Sequence, residues 1–247
     1  MDDELVRDWR AAERGAVLLD GFHPLKHALR FGGEVRRVLT ADRGALLALA
    51  GELAPDVVPA LDALAVEVAE ERLRGLAPRL HPTGVVGLAA RPSVAANREA
   101  LGRLPRRAPV VVLENPRNLG NVGAVIRLAA GFGATGVVTT GELDPWHPTV
   151  LRGSAGLHFA TAVERVDLPE LPAGPLYVLD PEGTDIRDLP FPDDALLAFG
   201  TERHGVSAEL KERADRLVAV PMQAGVSSFN LATSVAMGLF HWMSGRC

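Results

Sequence analysis

Short apolar runs bounded by polar or glycine-containing turns recur along the chain, and between them apolar positions step at helical spacing. In the first half, Val35-Arg36-Arg37-Val38-Leu39-Thr40 and the stretch Thr83 to Ala89 predict strands. Ala65-Val66-Glu67-Val68-Ala69 alternates as a half-buried strand does. His23 to Leu29 and Ala45 to Leu53 predict helices. Between Arg91 and Pro109 the rhythm is lost to prolines and arginines. The pattern therefore predicts a small α/β domain over 1–95, a linker over 96–108 and a second domain over 109–247.

The second half is more regular. Val110 to Leu113 predicts a buried strand, Glu114 to Asn121 a polar loop, and Val122, Val125, Ile126, Ala129 and Ala130 one face of a helix. Gly136 to Thr140, Leu176 to Asp180, Ala195 to Gly200 and Arg216 to Val220 predict further strands, and Ser228 to Trp242 a closing helix. Strands separated by helical stretches predict an α/β fold with a mostly parallel sheet flanked by helices.

Composition narrows the function classes. The 247 residues are 47% hydrophobic and include one cysteine, Cys247, which excludes a disulfide framework within the chain and any multi-cysteine metal site. His23 and His27 stand at helical spacing without the neighbouring acid of a metalloprotease, so no metal is expected. No apolar stretch reaches the roughly 18 residues of a membrane span, and Met1-Asp2-Asp3-Glu4 is acidic where a secretory signal is basic. The expectation is a cytoplasmic protein without a membrane partner. Net charge is −5, split as 16 basic against 15 acidic residues up to 108 and 10 against 16 beyond. That balance selects no partner.

Three loops follow predicted strands, where open α/β sheets bind ligands. The first, Asn118 to Gly123, leads into a helix whose Arg127 lies off the apolar stripe. The second, Gly200-Thr201-Glu202-Arg203-His204-Gly205, brackets an acid with glycines that allow close backbone approach. In the third, Val220 to Asn230, Ser227 or Ser228 is placed to cap the final helix. Each loop alone also fits a plainer reading: a solvated arginine, a glycine-capped turn, a helix cap.

Taken together, the loops resemble the three signature motifs of the SpoU (TrmH-type) RNA 2′-O-ribose methyltransferases. Asn121 to Arg127 is similar to the first, Gly200 to Gly205 to the second, and Val220-Pro221-Met222 through Gly225 to Ser228-Phe229-Asn230 to the third. Arg152-Gly153-Ser154-Ala155-Gly156 resembles the segment between the first two. Phe229 stands where that family usually has leucine. Leu19-Asp20-Gly21 and His81-Pro82-Thr83-Gly84-Val85 resemble parts of the small ribosomal-protein-like RNA-binding domain that often precedes the catalytic one.

The resemblance implies a trefoil-knotted C-terminal domain, S-adenosylmethionine as cofactor, a homodimer that completes each site, and RNA as substrate, with ribosomal RNA favoured over transfer RNA. It implies catalytic roles for Arg127, Asn121, Glu202, Ser228 and Asn230, with Arg127 activating the hydroxyl or anchoring charge beside it. Gly200, Val220, Phe229 and Asp180 would hold the cofactor, and Arg30, Arg36 and Arg37 would meet RNA phosphates. Two alternatives stay open. A dinucleotide-dependent oxidoreductase would explain the strand and glycine loop, but Gly120 and Gly123 lack the third spaced glycine. An RNA-binding assembly factor with the same fold would lack turnover.

Overall fold

The apolar runs form two separate sheets in the computed structural model, which describes residues 2–76, 80–201 and 205–246. The chain divides into two units. One comprises residues up to 92 together with 155–160; the other comprises 93–154 and 161 onward.

The first unit runs α1 (Asp2–Glu13), β1 (Ala16–Asp20), α2 (Phe22–Arg30), β2 (Val35–Thr40), α3 (Arg43–Leu53), α4 (Val58–Leu64), β3 (Ala65–Glu67), α5 (Glu70–Arg74) and β4 (Val85–Ala90). Among the described residues its sheet has the order β1-β4-β2-β3, with β4 antiparallel to β1 and β2. The sequence pattern did not predict α1 or β1. Trp9 of α1 is buried against Leu39, Leu73, Val86 and Leu88, so this helix seals one face of the sheet. The two segments quoted for the small domain adjoin, since the His81 N–H donates to Asp20 Oδ1 at 3.1 Å. Residues 155–160 pack on α2: Gly156, at φ +74°, sits so close to Pro24 that a Cβ would lie 2.6 Å from its Cα.

The second unit begins at Ser93, ahead of the expected linker, and takes that stretch in. Residues 94–102 form α6 (Val94–Gly102), capped by Ser93 Oγ, which accepts from Ala96 N at 3.1 Å. Its Leu101 is buried with Val110, Val112 and Val138, and Asn97 donates to Val163 O at 2.9 Å. Arg106 is buried too and donates to the carbonyls of Leu101, Ala173 and Asp194. The 96–108 linker expectation is corrected on these grounds: the prolines bracket a helix, and the arginine is a staple within the fold.

The remaining elements are β5 (Val110–Leu113), α7 (Leu119–Phe132), β6 (Gly136–Thr139), α8 (Pro148–Gly153), β7 (Ala162–Arg165), β8 (Leu176–Asp185), β9 (Leu196–Phe199), α9 (Ala208–Glu212), β10 (Arg216–Ala219) and α10 (Leu231–Ser244). The sheet order is β10-β8-β9-β5-β6-β7, and every pairing among the described residues is parallel. Apolar residues on both faces of β5 and β9 are buried, as a sheet covered on both sides by helices requires. A parallel sheet gathers the C-terminal ends of its strands along one edge, and the site is built there. Among the described residues, no helix is long and apolar enough to cross a membrane.

Candidate active site

An excursion within β8 and the loops that follow β9 and β10 meet the start of α10 around a cavity of about 410 Å³. Gly200 leaves β9 and turns at once: Thr201 N donates to Gly205 O at 2.9 Å and Gly205 N to Thr201 O at 3.0 Å. A Cβ on Gly200 would collide with the Gly205 carbonyl, so only glycine permits this close approach. All four residues expected to hold a cofactor, Gly200, Val220, Phe229 and Asp180, line the cavity. Leu179, Phe199, Val218, Met222 and Leu231 add apolar wall, while Thr201, Ser227, Ser228 and Ser234 add hydroxyls. Asp180 is the one charged side chain among the described lining residues.

That carboxylate is buried, and each of its oxygens has a partner. Asp180 Oδ1 accepts from Glu182 N at 3.0 Å, and Oδ2 pairs with the Lys211 ammonium at 2.6 Å. The pair holds Lys211 above the usual lysine range. Lys211 belongs to α9, whose first turn is fixed from another strand: Ser207 N donates to Glu114 Oε2 at 2.8 Å, and Ser207 Oγ donates to Glu114 Oε1. Sequence reasoning assigned roles to neither Lys211 nor Glu114. Partners 31 and 93 residues away leave no periodic trace. The one usable hint was compositional, since Lys26 and Lys211 are the only lysines in an arginine-rich chain.

The first and third loops also touch. Asn118 Oδ1 caps α7 by accepting from Asn121 N at 3.0 Å, and Asn121 Oδ1 accepts from Asn230 Nδ2 at 3.1 Å. Asn230 in turn caps α10, with Oδ1 accepting from Ala232 N at 2.9 Å and Thr233 N at 3.4 Å. The cap expected at Ser227 or Ser228 is thereby corrected: α10 begins at Leu231, and both serines remain on the cavity wall. Asn121, Asn230 and Ser228 stand together with the cofactor-type residues. Glu202, Arg203 and His204 lie outside the described residues.

Arg127 is placed differently. It projects exposed from α7, as its position off the apolar stripe predicted, and it does not line the cavity. It borders a second depression with Ala124, Leu128, Gly131, Phe132, Gly153 and Met243. In the first unit, Arg30 makes two bonds to Asp56, Arg36 pairs with Glu34 at 2.9 Å, and Arg37 donates to Arg36 O. These three cations are exposed or half-exposed, and each is engaged within the chain.

Comparison with known proteins agrees with this layout. A 23S rRNA (uridine(2479)-2′-O)-methyltransferase of Streptomyces viridochromogenes is 29% identical over 252 residues, covering 94% of this chain and 84% of that one. The crystal structure of the SpoU methyltransferase AviRb from Streptomyces viridochromogenes, in complex with AdoMet, matches with a TM-score of 0.76 over 97% of each chain at 23% identity. A crystal structure described as an RNA 2′-O ribose methyltransferase matches with a TM-score of 0.73 at 27% identity, covering 96% of this chain and 91% of that one. The sequence model of the SpoU rRNA Methylase family matches residues 108–240, from the edge of β5 through most of α10. That span is more than half of the chain and contains the whole cavity, and the chain belongs to the SpoU rRNA Methylase family.

Proposed function

We propose that this chain is an S-adenosylmethionine-dependent methyltransferase that methylates a ribose 2′-hydroxyl of RNA, with ribosomal RNA as its substrate class. The observation that carries the reading is the cavity between the β8 excursion and the ends of β9 and β10, pinched by the Gly200–Gly205 turn and edged by the Asn121–Asn230 bond. The 29% identity to a 23S rRNA methyltransferase, spread over nearly the full chain, supports ribosomal over transfer RNA.

The residues present fit the cofactor. A cavity of about 410 Å³ lies within the range of small-molecule sites, roughly 300–1,000 Å³. Its wall offers apolar surface for a purine, hydroxyls for polar tails, and among the described lining residues no cation to repel a sulfonium. S-adenosylmethionine, when bound, supplies a methyl group on an electrophilic sulfur. Val220, Met222 and Phe229 would flank the purine, with the backbone at Gly200 approaching it closely. Asp180 keeps acceptor capacity for a ribose hydroxyl beyond its two present bonds. Ser228 on the cavity wall and Asn230, which caps α10 beside it, are assigned to orient the reacting ribose, and Glu202 is assigned to the same group by its place in the second loop.

A guanidinium is suited to binding anionic oxygens rather than to taking up a proton. We assign Arg127 to hold a substrate phosphate and to stabilise oxyanion character as the hydroxyl proton departs. Its separation from the cavity wall fits a site completed by a second copy. Ala124, Leu128 and Gly131 step along one face of α7, and Met243 and the 60%-exposed Phe240 share a face of α10. In this reading two such faces pair, and Arg127 serves the partner's cavity.

The trefoil-knotted threading belongs to the same proposal, supported by the packing of α10 back against α7 and β9. So do a cytoplasmic setting and RNA capture by the first unit through Arg36, Arg37 and Arg30. The internal partners of these arginines are exposed carboxylates or a carbonyl, which phosphates can displace at little cost.

Calorimetric titration tests the reading, using S-adenosylmethionine and, in parallel, a nicotinamide dinucleotide. Saturable binding of the first alone is expected; binding of the dinucleotide, or of neither, would overturn it.

A further inference from the structure

The β8–β10 pairing has an interruption that the cavity depends on. Leu217 pairs with Val178 and Val218 with Thr184, so five residues of β8, 179–183, loop out while β10 advances by one. Leu179, Asp180 and Pro181 of this excursion form one wall of the cavity. The excursion returns hard against its neighbour, since a Cβ on Gly183 would collide with the backbone at Leu217 and Val218. Its outer part has no sheet ladder to define it and must be held by other bonds.

Asp180 supplies those bonds. It closes the tip on Glu182 N and reaches out of the sheet to Lys211 Nζ. The anchor is firm: Leu210, next to Lys211, is fully buried, and Ser207 at the start of α9 is clamped by Glu114 at the end of β5. Gly205, which pairs with Thr201 and lines another side of the cavity, lies two residues before Ser207. One short helix thus fixes two cavity walls, one through the chain and the other through an ion pair. Lys211 does not itself line the cavity.

We propose that Lys211 is a positioning residue for the cofactor, acting through Asp180 to hold the 179–183 wall in register with the Gly200–Gly205 turn. The proposal rests on the S-adenosylmethionine reading above. Removing the ammonium strands a buried carboxylate, which moves toward solvent and takes the wall with it. Lys211→Met should therefore weaken S-adenosylmethionine binding by about tenfold, the scale of losing one charge-assisted bond. Lys211→Arg should restore most of that affinity. Asp180→Asn in the Lys211→Met background should also restore part of it, because the neutral amide keeps an acceptor for Glu182 N without a stranded charge.

The test is calorimetric binding of S-adenosylmethionine and of S-adenosylhomocysteine to the wild-type, Lys211→Met, Lys211→Arg and double-variant chains, with thermal melts alongside. Tenfold weakening in Lys211→Met with recovery in the other two supports the proposal. Should Lys211→Met fail to fold, Lys211→Gln takes its place: it must bind about tenfold more weakly than Lys211→Arg, and equal affinity of the two overturns the proposal. A folded Lys211→Met chain that binds as tightly as wild type, or a lower melting temperature without a change in Kd, overturns it. A wild-type chain that binds neither ligand refutes the cofactor reading itself, a failure distinct from loss confined to the variant.

Discussion

His27 shows how a single side chain records its environment. Its Nδ1 lies 2.7 Å from the carbonyl oxygen of Ala155, and because a carbonyl only accepts, Nδ1 carries the proton. Burial pushes the imidazole below its usual value near 6.5, opposed by that hydrogen bond, with Lys26, Arg30 and His23 adding to the depression. The unfolded chain therefore takes up the proton at higher pH than the folded one. The stability contributed by neutral His27 is present above about 6.5 and declines as pH falls through the folded value. Thermal melts between pH 7.5 and 5 should show a falling melting temperature that flattens in His27→Asn, whose amide can still donate to Ala155. The carboxylates held low by arginines, Asp56, Glu170 and Asp185, titrate below this window. An unchanged slope in the variant would remove His27 as the cause. At this scale the sequence was partly legible. Gly123 stood out within a motif, but its reason is tertiary: a Cβ there would lie 2.8 Å from Val150 O and 2.9 Å from Gly153 Cα on α8.

Among the elements, α10 has a start set by a contact that no local pattern contains. Ser227, Ser228 and Asn230 are all good capping types, and the apolar stretch alone does not choose between them. Asn230 takes the role while its amide nitrogen donates to Asn121 across the site. Two substitutions separate these duties. Asn230→Ala should cost about 1 kcal/mol of unfolding free energy in denaturant titration, the usual value of a lost cap. Asn230→Asp keeps the acceptor and should preserve stability while losing the bond to Asn121. If both variants unfold alike, the cap is not what Asn230 contributes. The missed elements have similar causes. β7 carries Glu164, a charged residue that the strand pattern would place outside, yet it is buried and accepts from Asn97 Nδ2 and Arg165 N. The short strands β5, β6 and β9, buried throughout, were legible from their mostly apolar composition because a sheet covered on both faces leaves little room for polar positions.

At the scale of the whole molecule, the site is an assembly of loops that are far apart in sequence and adjacent at one sheet edge. The four residues that the family resemblance assigned to a cofactor line one cavity, and at Gly200 the close approach of Gly205 explains the residue type. The bracket formed by Glu114, Ser207, Lys211 and Asp180 was not legible, because ion pairs between distant elements impose no spacing. The family resemblance singled out Arg127 and its place on the helix predicted its exposure, but its separation from the cavity wall became visible only in the fold. The central claim is that this architecture moves a methyl group to a ribose oxygen under the influence of Arg127. The most direct measurement is transfer of labelled methyl from S-adenosylmethionine to ribosomal RNA by the wild-type and Arg127→Ala chains, followed by alkaline hydrolysis. A methylated 2′-oxygen cannot assist backbone cleavage, so label in alkali-resistant dinucleotides reports the ribose position. Wild-type protein is predicted to place label there, and Arg127→Ala to do so on the order of 10²–10³ times more slowly with cofactor affinity unchanged. Label confined to bases, or an Arg127→Ala chain with near-normal turnover, would contradict the account.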